Sequence, residues 1–134
     1  MKVVVDANIF VSAFYWGGVP QLILDRIIKG IDELYITNEI LNEIAGVMSR
    51  PKFKTGPDTI DRYIRTIEKT GKKIFITGEV TGVCRDKDDD DKIECGIKSM
   101  ADFIITGDED LLVLRNYKNV KIISPREYLE TMNS

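Results

Sequence analysis

An α/β fold built on a mainly parallel sheet is what this sequence predicts, from three observations. Short β-branched or apolar runs, such as Val3-Val4-Val5 and Phe103-Ile104-Ile105, have the unbroken hydrophobicity of strands buried on both faces. Segments with apolar residues three and four apart separate them, as amphipathic helices do. Capping residues and glycines stand at the joints between the two kinds of segment. In order, Lys2 to Val5 reads as a strand ending at Asp6, and Ile9 to Phe14 as the start of a helix broken by Gly17-Gly18. Pro20 suits the first turn of a second helix carrying Leu22, Ile23, Ile27 and Ile28, with Gly30 as its stop. Leu34-Tyr35-Ile36 is a strand, and Thr37 or Asn38 caps a helix with Ile40, Leu41, Ile44, Val47 and Met48 on one face, ending before Pro51.

Residues 50–57 read as loop, and Asp58 opens a helix that buries Ile60, Tyr63, Ile64 and Ile67 and closes at Gly71. Lys73 to Ile76 reads as strand, residues 78–91 mostly as loop, and Lys92 to Met100 as helix. Phe103 to Ile105 is a buried strand, Asp110 to Leu114 a helical turn, and Val120 to Ile123 the last strand. Ser124-Pro125-Arg126-Glu127 has the form of a capping box and opens a C-terminal helix.

The 134 residues suit one domain, spanning residues 1–134. With 43% hydrophobic and 31% charged residues there is material for a core, and the net charge of −3 gives no global basic field. Nucleic acid would have to meet local patches. The absence of histidine excludes Ser-His-Asp and Cys-His triads and every His-bearing zinc site. Two cysteines, Cys84 and Cys95, form neither a disulfide framework nor a C-x-x-C motif, so a reducing, cytoplasmic compartment is expected. No apolar run approaches the length of a membrane span. Catalysis, if there is any, must rest on carboxylates, hydroxyls, lysines or arginines, with a bound metal as the obvious helper.

Parallel sheets bind ligands outside the carboxyl ends of their strands. Asp6 follows the first strand there, Asp108 the strand at 103–105, and Glu43 projects from the helix that leaves the second strand. The run Asp86-Lys87-Asp88-Asp89-Asp90-Asp91 precedes a helix, where part of it can serve the helix dipole alone. Each acid taken singly fits a solvated or structural role. Several on one sheet edge repel one another unless a cation sits among them, and oxygen ligands favour Mg²⁺ or Mn²⁺.

Four ordered segments carry a family resemblance: Val4-Val5-Asp6-Ala7-Asn8-Ile9-Phe10-Val11-Ser12-Ala13; Thr37 to Ile44 with Ser49-Arg50-Pro51-Lys52-Phe53; Asp86-Lys87-Asp88-Asp89 with Lys92-Ile93-Glu94-Cys95; and Ala101 to Leu112, containing Ile105-Thr106-Gly107-Asp108. Together they resemble the motifs of PIN-domain nucleases, most strongly the VapC-like toxins of toxin–antitoxin systems. The resemblance implies a three-layer α/β/α fold with about five strands and an Mg²⁺- or Mn²⁺-dependent endoribonuclease. By position, Asp6, Glu43, Asp89 and Asp108 match the metal-binding, catalytic acids. Asn8 and Thr106 match the polar residues beside them, and Asp110 an accessory acid. A one-residue slip in the acid run hands the role of Asp89 to Asp88 or Asp90. Ala7, Lys87 and Met100 depart from a usual hydroxyl residue, proline and glycine, and none removes a carboxylate. The implied partners are RNA, an antitoxin protein and a second copy of the chain.

Arg50, Lys52 and Lys54 in one loop are the candidate RNA contacts, with Lys72, Lys73 and Arg85 also basic. Tyr15 and Trp16 suit base stacking, a partner surface or the core equally. Rival readings fit less well. A phosphotransferase with a nucleophilic Asp6 wants an acid at position 8, where Asn8 stands, and a calcium loop starting at Asp86 wants Gly at 91 and Glu at 97, where the chain has Asp91 and Ile97. The serious alternative is a PIN-like domain that binds RNA or protein without cutting.

Overall fold

The structure, a computed structural model, describes residues 1–133. Val3, Val4 and Val5 are completely buried, which places β1 (Lys2–Val5) at the centre of the sheet. β2 (Glu33–Ile36) and β4 (Phe103–Ile105) flank it in parallel, with Val3 opposite Leu34 on one side and Phe103 on the other. The six strands run in the order β3-β2-β1-β4-β6-β5, where β3 is Lys72–Lys73, β5 Asn116–Tyr117 and β6 Val120–Ile123. All pairs are parallel except the β5–β6 hairpin. The chain leaves β1 toward β2 and β3, then returns to the far side of β1 as β4. The β1/β4 boundary is therefore the topological switch point, where a crevice opens beyond the strand ends.

Among the described residues seven helices cover the sheet in an α/β/α arrangement: α1 (Ala7–Trp16), α2 (Gly18–Ile28), α3 (Asn38–Met48), α4 (Pro57–Thr70), α5 (Lys87–Ser99), α6 (Glu109–Leu112) and α7 (Pro125–Asn133). Gly17 and Gly18, both at positive φ, bend α1 and α2 through 108°, a turn that residues with a Cβ rarely make. No helix among the described residues is long and apolar enough to cross a membrane. α5 packs over β1, β2 and β4, and at Gly96 a Cβ would stand 3.1 Å from Ile104 and 3.2 Å from Val120. The missing side chain lets that helix lie close to the sheet and brings its N-terminus to the switch point.

Three elements differ from the sequence reading. α5 begins at Lys87 rather than Lys92, because Asp86 caps it by accepting the Asp88 N–H at 2.9 Å, so the acid run is its first turns and not a loop. The strand expected over residues 73–76 shrinks to Lys72–Lys73, with the Ile74 N–H still donating to the Ile36 carbonyl at 2.7 Å. Sheet pairing then stops, leaving Phe75 exposed. β5 is a polar two-residue edge strand that no hydrophobic pattern announces.

Candidate metal centre

Asp6 sits at the N-cap of α1, yet its carboxylate makes no capping bond. It turns inward instead, 3% exposed, where the Thr106 hydroxyl donates to its Oδ2 at 2.6 Å. The same hydroxyl accepts the Asp108 backbone N–H at 3.0 Å, so one buried side chain ties the end of β1 to the loop leaving β4. Asp108 in turn caps α6, its Oδ1 accepting the Asp110 N–H at 2.9 Å. Ligand oxygens of Asp89, Asp108 and Asp110 all lie within 4.8 Å of one another. Arg85 reaches Asp110 Oδ1 from the exposed side at 2.5 Å.

Asp6 and Glu43 gather around a different centre, the ammonium of Lys92. Its Nζ lies 3.1 Å from Asp6 Oδ1, 3.5 Å from Glu43 Oε1 and 3.5 Å from Asp89 Oδ1. Lys92 is 4% exposed. Burial lowers its pKa, but each ion pair at such a distance supplies about 5 kcal/mol of direct attraction at an effective dielectric near 20, and the three acids hold its pKa above the usual lysine range. Asp6 Oδ1 is buried and, among the described residues, has this ion pair and no hydrogen bond.

The acids respond to burial in the opposite sense. Desolvation pushes Asp89 up to about 6, with Lys92 opposing the rise and Asp108 adding to it. Glu43, half-buried, is also raised by desolvation against the pull of Lys92. Five carboxylates (Asp6, Glu43, Asp89, Asp108 and Asp110) converge here with two cations, Lys92 and Arg85, leaving a surplus of negative charge.

A helix turns about 100° per residue, which sends the four consecutive aspartates of α5 to different neighbours. Asp88 faces solvent and Asp89 joins the cluster. Asp90 accepts the N–H groups of Gly82 at 3.0 Å and Cys84 at 2.8 Å, while Asp91 pairs with Lys87 at 3.3 Å. Of Asp88, Asp89 and Asp90, Asp89 is the one that shares Lys92 with Asp6 and Glu43 and stands beside Asp108, while exposed Asp88 acts on Glu43 from the solvent side. One turn further on, buried Glu94 accepts the N–H groups of Thr77 at 2.7 Å and Glu79 at 2.8 Å and pairs with Lys98 at 3.0 Å. Burial opposes its charge, but those donors outweigh it and hold the carboxyl near 2. Asp90 and Glu94 thereby pin the segment at 77–84 beside the site.

The donor set fits a hard divalent cation: it is all oxygen, excess negative and partly dehydrated. Oxygens bound to one such ion stand no more than about 4.2–4.8 Å apart, and those of Asp89, Asp108 and Asp110 all lie within 4.8 Å of one another. Neither cysteine competes, since burial pushes the Cys84 thiol up to about 11 and that of Cys95 to about 12. Asn8 is exposed in the first turn of α1, two residues beyond Asp6.

Beyond the cluster, Arg50, Lys52 and Lys54 are exposed on and around the 3₁₀ turn Pro51–Phe53 that follows α3. Lys52 stands 5.1 Å from the Phe53 ring centroid, and Tyr15 stacks on Phe53 at 4.3 Å. Trp16 remains 70% exposed beside them. So Tyr15 is a packing residue, and Trp16 is an open one. α1 begins at the acid cluster and ends here, and its ten residues span about 15 Å.

Lys92 and Glu94 are residues that the sequence reading left without a role, and Asp90, there an alternative to Asp89, serves the segment at 82–84 instead. Their signal was helical spacing: Lys92 lies three residues after Asp89, and Glu94 four residues after Asp90, so each pair shares a face. The reading of residues 78–91 as loop hid it.

A PIN domain family model matches residues 2–110. An uncharacterized protein of Methanocaldococcus jannaschii is 33% identical over 141 residues, a match that takes in 97% of this chain and 90% of that protein. Among solved structures, VapBC2 from Rickettsia felis bound to a DNA fragment from their promoter contains a chain that superposes with a TM-score of 0.65 at 15% identity, over 92% of this chain and 98% of that one. At that identity the likeness is one of fold.

Proposed function

Because this chain belongs to the PIN domain family, we propose that it is a metal-dependent endoribonuclease hydrolysing RNA phosphodiester bonds, and the toxin of a toxin–antitoxin pair. The observation that carries the reading is the convergence of acids from β1, α3, α5 and the β4 end on one switch-point crevice. Asp89, Asp108 and Asp110 would hold Mg²⁺ or Mn²⁺. When bound, such an ion neutralises charge on a phosphate and lowers the pKa of water. Thr106 orients Asp6 and fixes the Asp108 backbone, so the acids are aligned before substrate arrives. Glu43, raised by burial and only partly covered, would take a proton at a carboxylate oxygen at the mouth of the site. Arg50, Lys52 and Lys54 would bind the RNA backbone, and Trp16 would stack on a base.

The Rickettsia neighbour is a VapBC2 assembly on promoter DNA, which supports an antitoxin partner for this chain too. Cytoplasmic residence and a homodimer belong to the same proposal. A second reading, a non-catalytic binding domain, draws on one specific observation: Lys92 already neutralises part of the acid pocket. Incubation of labelled single-stranded RNA with the purified protein, with and without Mn²⁺, separates the two. Cleavage that needs Mn²⁺ and is lost in Asp108→Asn supports the nuclease. RNA left intact with Mn²⁺ present overturns it.

A further inference from the structure

The cluster of acids is divided in two by Lys92, and that division limits what it can bind. Lys92 brings a cation from α5 into contact with a carboxylate at the end of β1, one on α3 and one in its own first turns. Its stem is buried with it, the side chain being 5% exposed, so the ammonium has no short route to solvent. Asp6 Oδ1, buried and without a hydrogen bond, faces this cation. A divalent ion on the same three oxygens would lie within a bond length or two of the ammonium, like charges in a pocket that screens poorly. On the other side of Asp89 the situation differs. Among the described residues the cation there is Arg85, which pairs with Asp110 and whose side chain is 86% exposed.

We propose that Lys92 is a built-in cation, filling one cation position of the acid cluster, so that this site takes a single divalent ion on the side of Asp89, Asp108 and Asp110. The proposal rests on the metal-dependent reading above. Lys92 is a positioning residue: it holds Asp6, Glu43 and Asp89 together before any metal or RNA arrives, and its buried ammonium stays out of reach of substrate.

The test is Mn²⁺ titration calorimetry on the full chain, with thermal unfolding in EDTA and in Mn²⁺ and a parallel RNA cleavage assay. The wild type should bind one Mn²⁺ and unfold in EDTA within a few degrees of its Mn²⁺ value. Lys92→Met leaves three crowded carboxylates uncompensated. It should lose roughly 10–15 °C of Tm in EDTA, recover most of it in Mn²⁺, and bind two ions. Lys92→Arg should keep the wild-type count. Two ions in the wild type, or a Lys92→Met variant with one ion and an unchanged Tm in EDTA, would overturn the proposal while leaving RNA cleavage intact. Failure of the nuclease reading looks different: neither protein binds Mn²⁺ and neither cuts RNA. If Lys92→Met does not fold in either buffer, Lys92→Met combined with Asp6→Asn should fold in EDTA, and the wild-type ion count still decides.

Discussion

Replacing Thr106 by valine removes one oxygen and nothing else of comparable size, and that oxygen is the joint of the whole site. In the wild type it donates to Asp6 Oδ2 at 2.6 Å and accepts the Asp108 N–H at 3.0 Å, completely buried. Asp6 Oδ1 already lacks a hydrogen bond, so valine leaves a buried carboxylate with its ion pair alone. A hydrogen bond to a charged group is worth about 1.5–3 kcal/mol, and an unsatisfied backbone N–H costs roughly 1 more. Part of the second cost is relieved by water at the half-exposed Asp108. The expected loss is about 2–4 kcal/mol. With a urea m-value of ~1.5 kcal/mol/M, the unfolding midpoint should fall by about 1.3–2.7 M. Thr106→Ser keeps the hydroxyl and should stay within about 0.7 M of wild type. Mn²⁺ affinity should drop roughly 10–100-fold in the valine variant, because the ligands lose their orientation. A midpoint shift under ~0.5 M for valine, or equal losses for serine and valine, would refute the bridging role.

Glu94→Gln should cost about 2 kcal/mol at pH 7, less than the roughly 3 kcal/mol its depressed pKa implies, since solvent reaches Lys98. A carboxyl held low in the fold contributes fully above its unfolded pKa and loses that contribution as pH falls, so urea titrations of the two proteins should converge between about pH 4.5 and 2. Asp89 has the opposite sign: the folded state binds its proton more tightly than the unfolded chain does. Calorimetry should therefore show Mn²⁺ affinity falling up to about tenfold per pH unit below pH 6, while the metal-free fold gains stability from this residue between about pH 6 and 4. Removing Arg50, Lys52 and Lys54 together should leave Tm unchanged, because all three are exposed. It should also flatten the log–log salt dependence of RNA binding by about 2, some 0.7 for each lost phosphate contact.

Legibility in the sequence followed burial. The valines of β1 and the apolar run of β4 announce central strands because both of their faces are covered, and the acids at their ends then fall on one sheet edge by topology alone. Edge elements carry no such pattern. β3 is two lysines and β5 an Asn-Tyr pair, held by backbone pairing that hydrophobic periodicity does not register. The acid run misled for a related reason. Four aspartates look like a solvated loop until Asp86 caps the turn and each following carboxylate finds its own partner. Lys92 was hidden by the ordinary rule that lysines face water. Three anions in one pocket reverse that rule, and their meeting depends on β1, α3 and α5 coming together in space.

The most direct measurement is the anomalous difference map of a crystal grown with Mn²⁺. A single peak bonded to carboxylate oxygens of Asp89, Asp108 and Asp110, with the Lys92 ammonium still beside Asp6, is the result this account predicts. No peak at the crevice, or one bonded to acids elsewhere on the molecule, would contradict it.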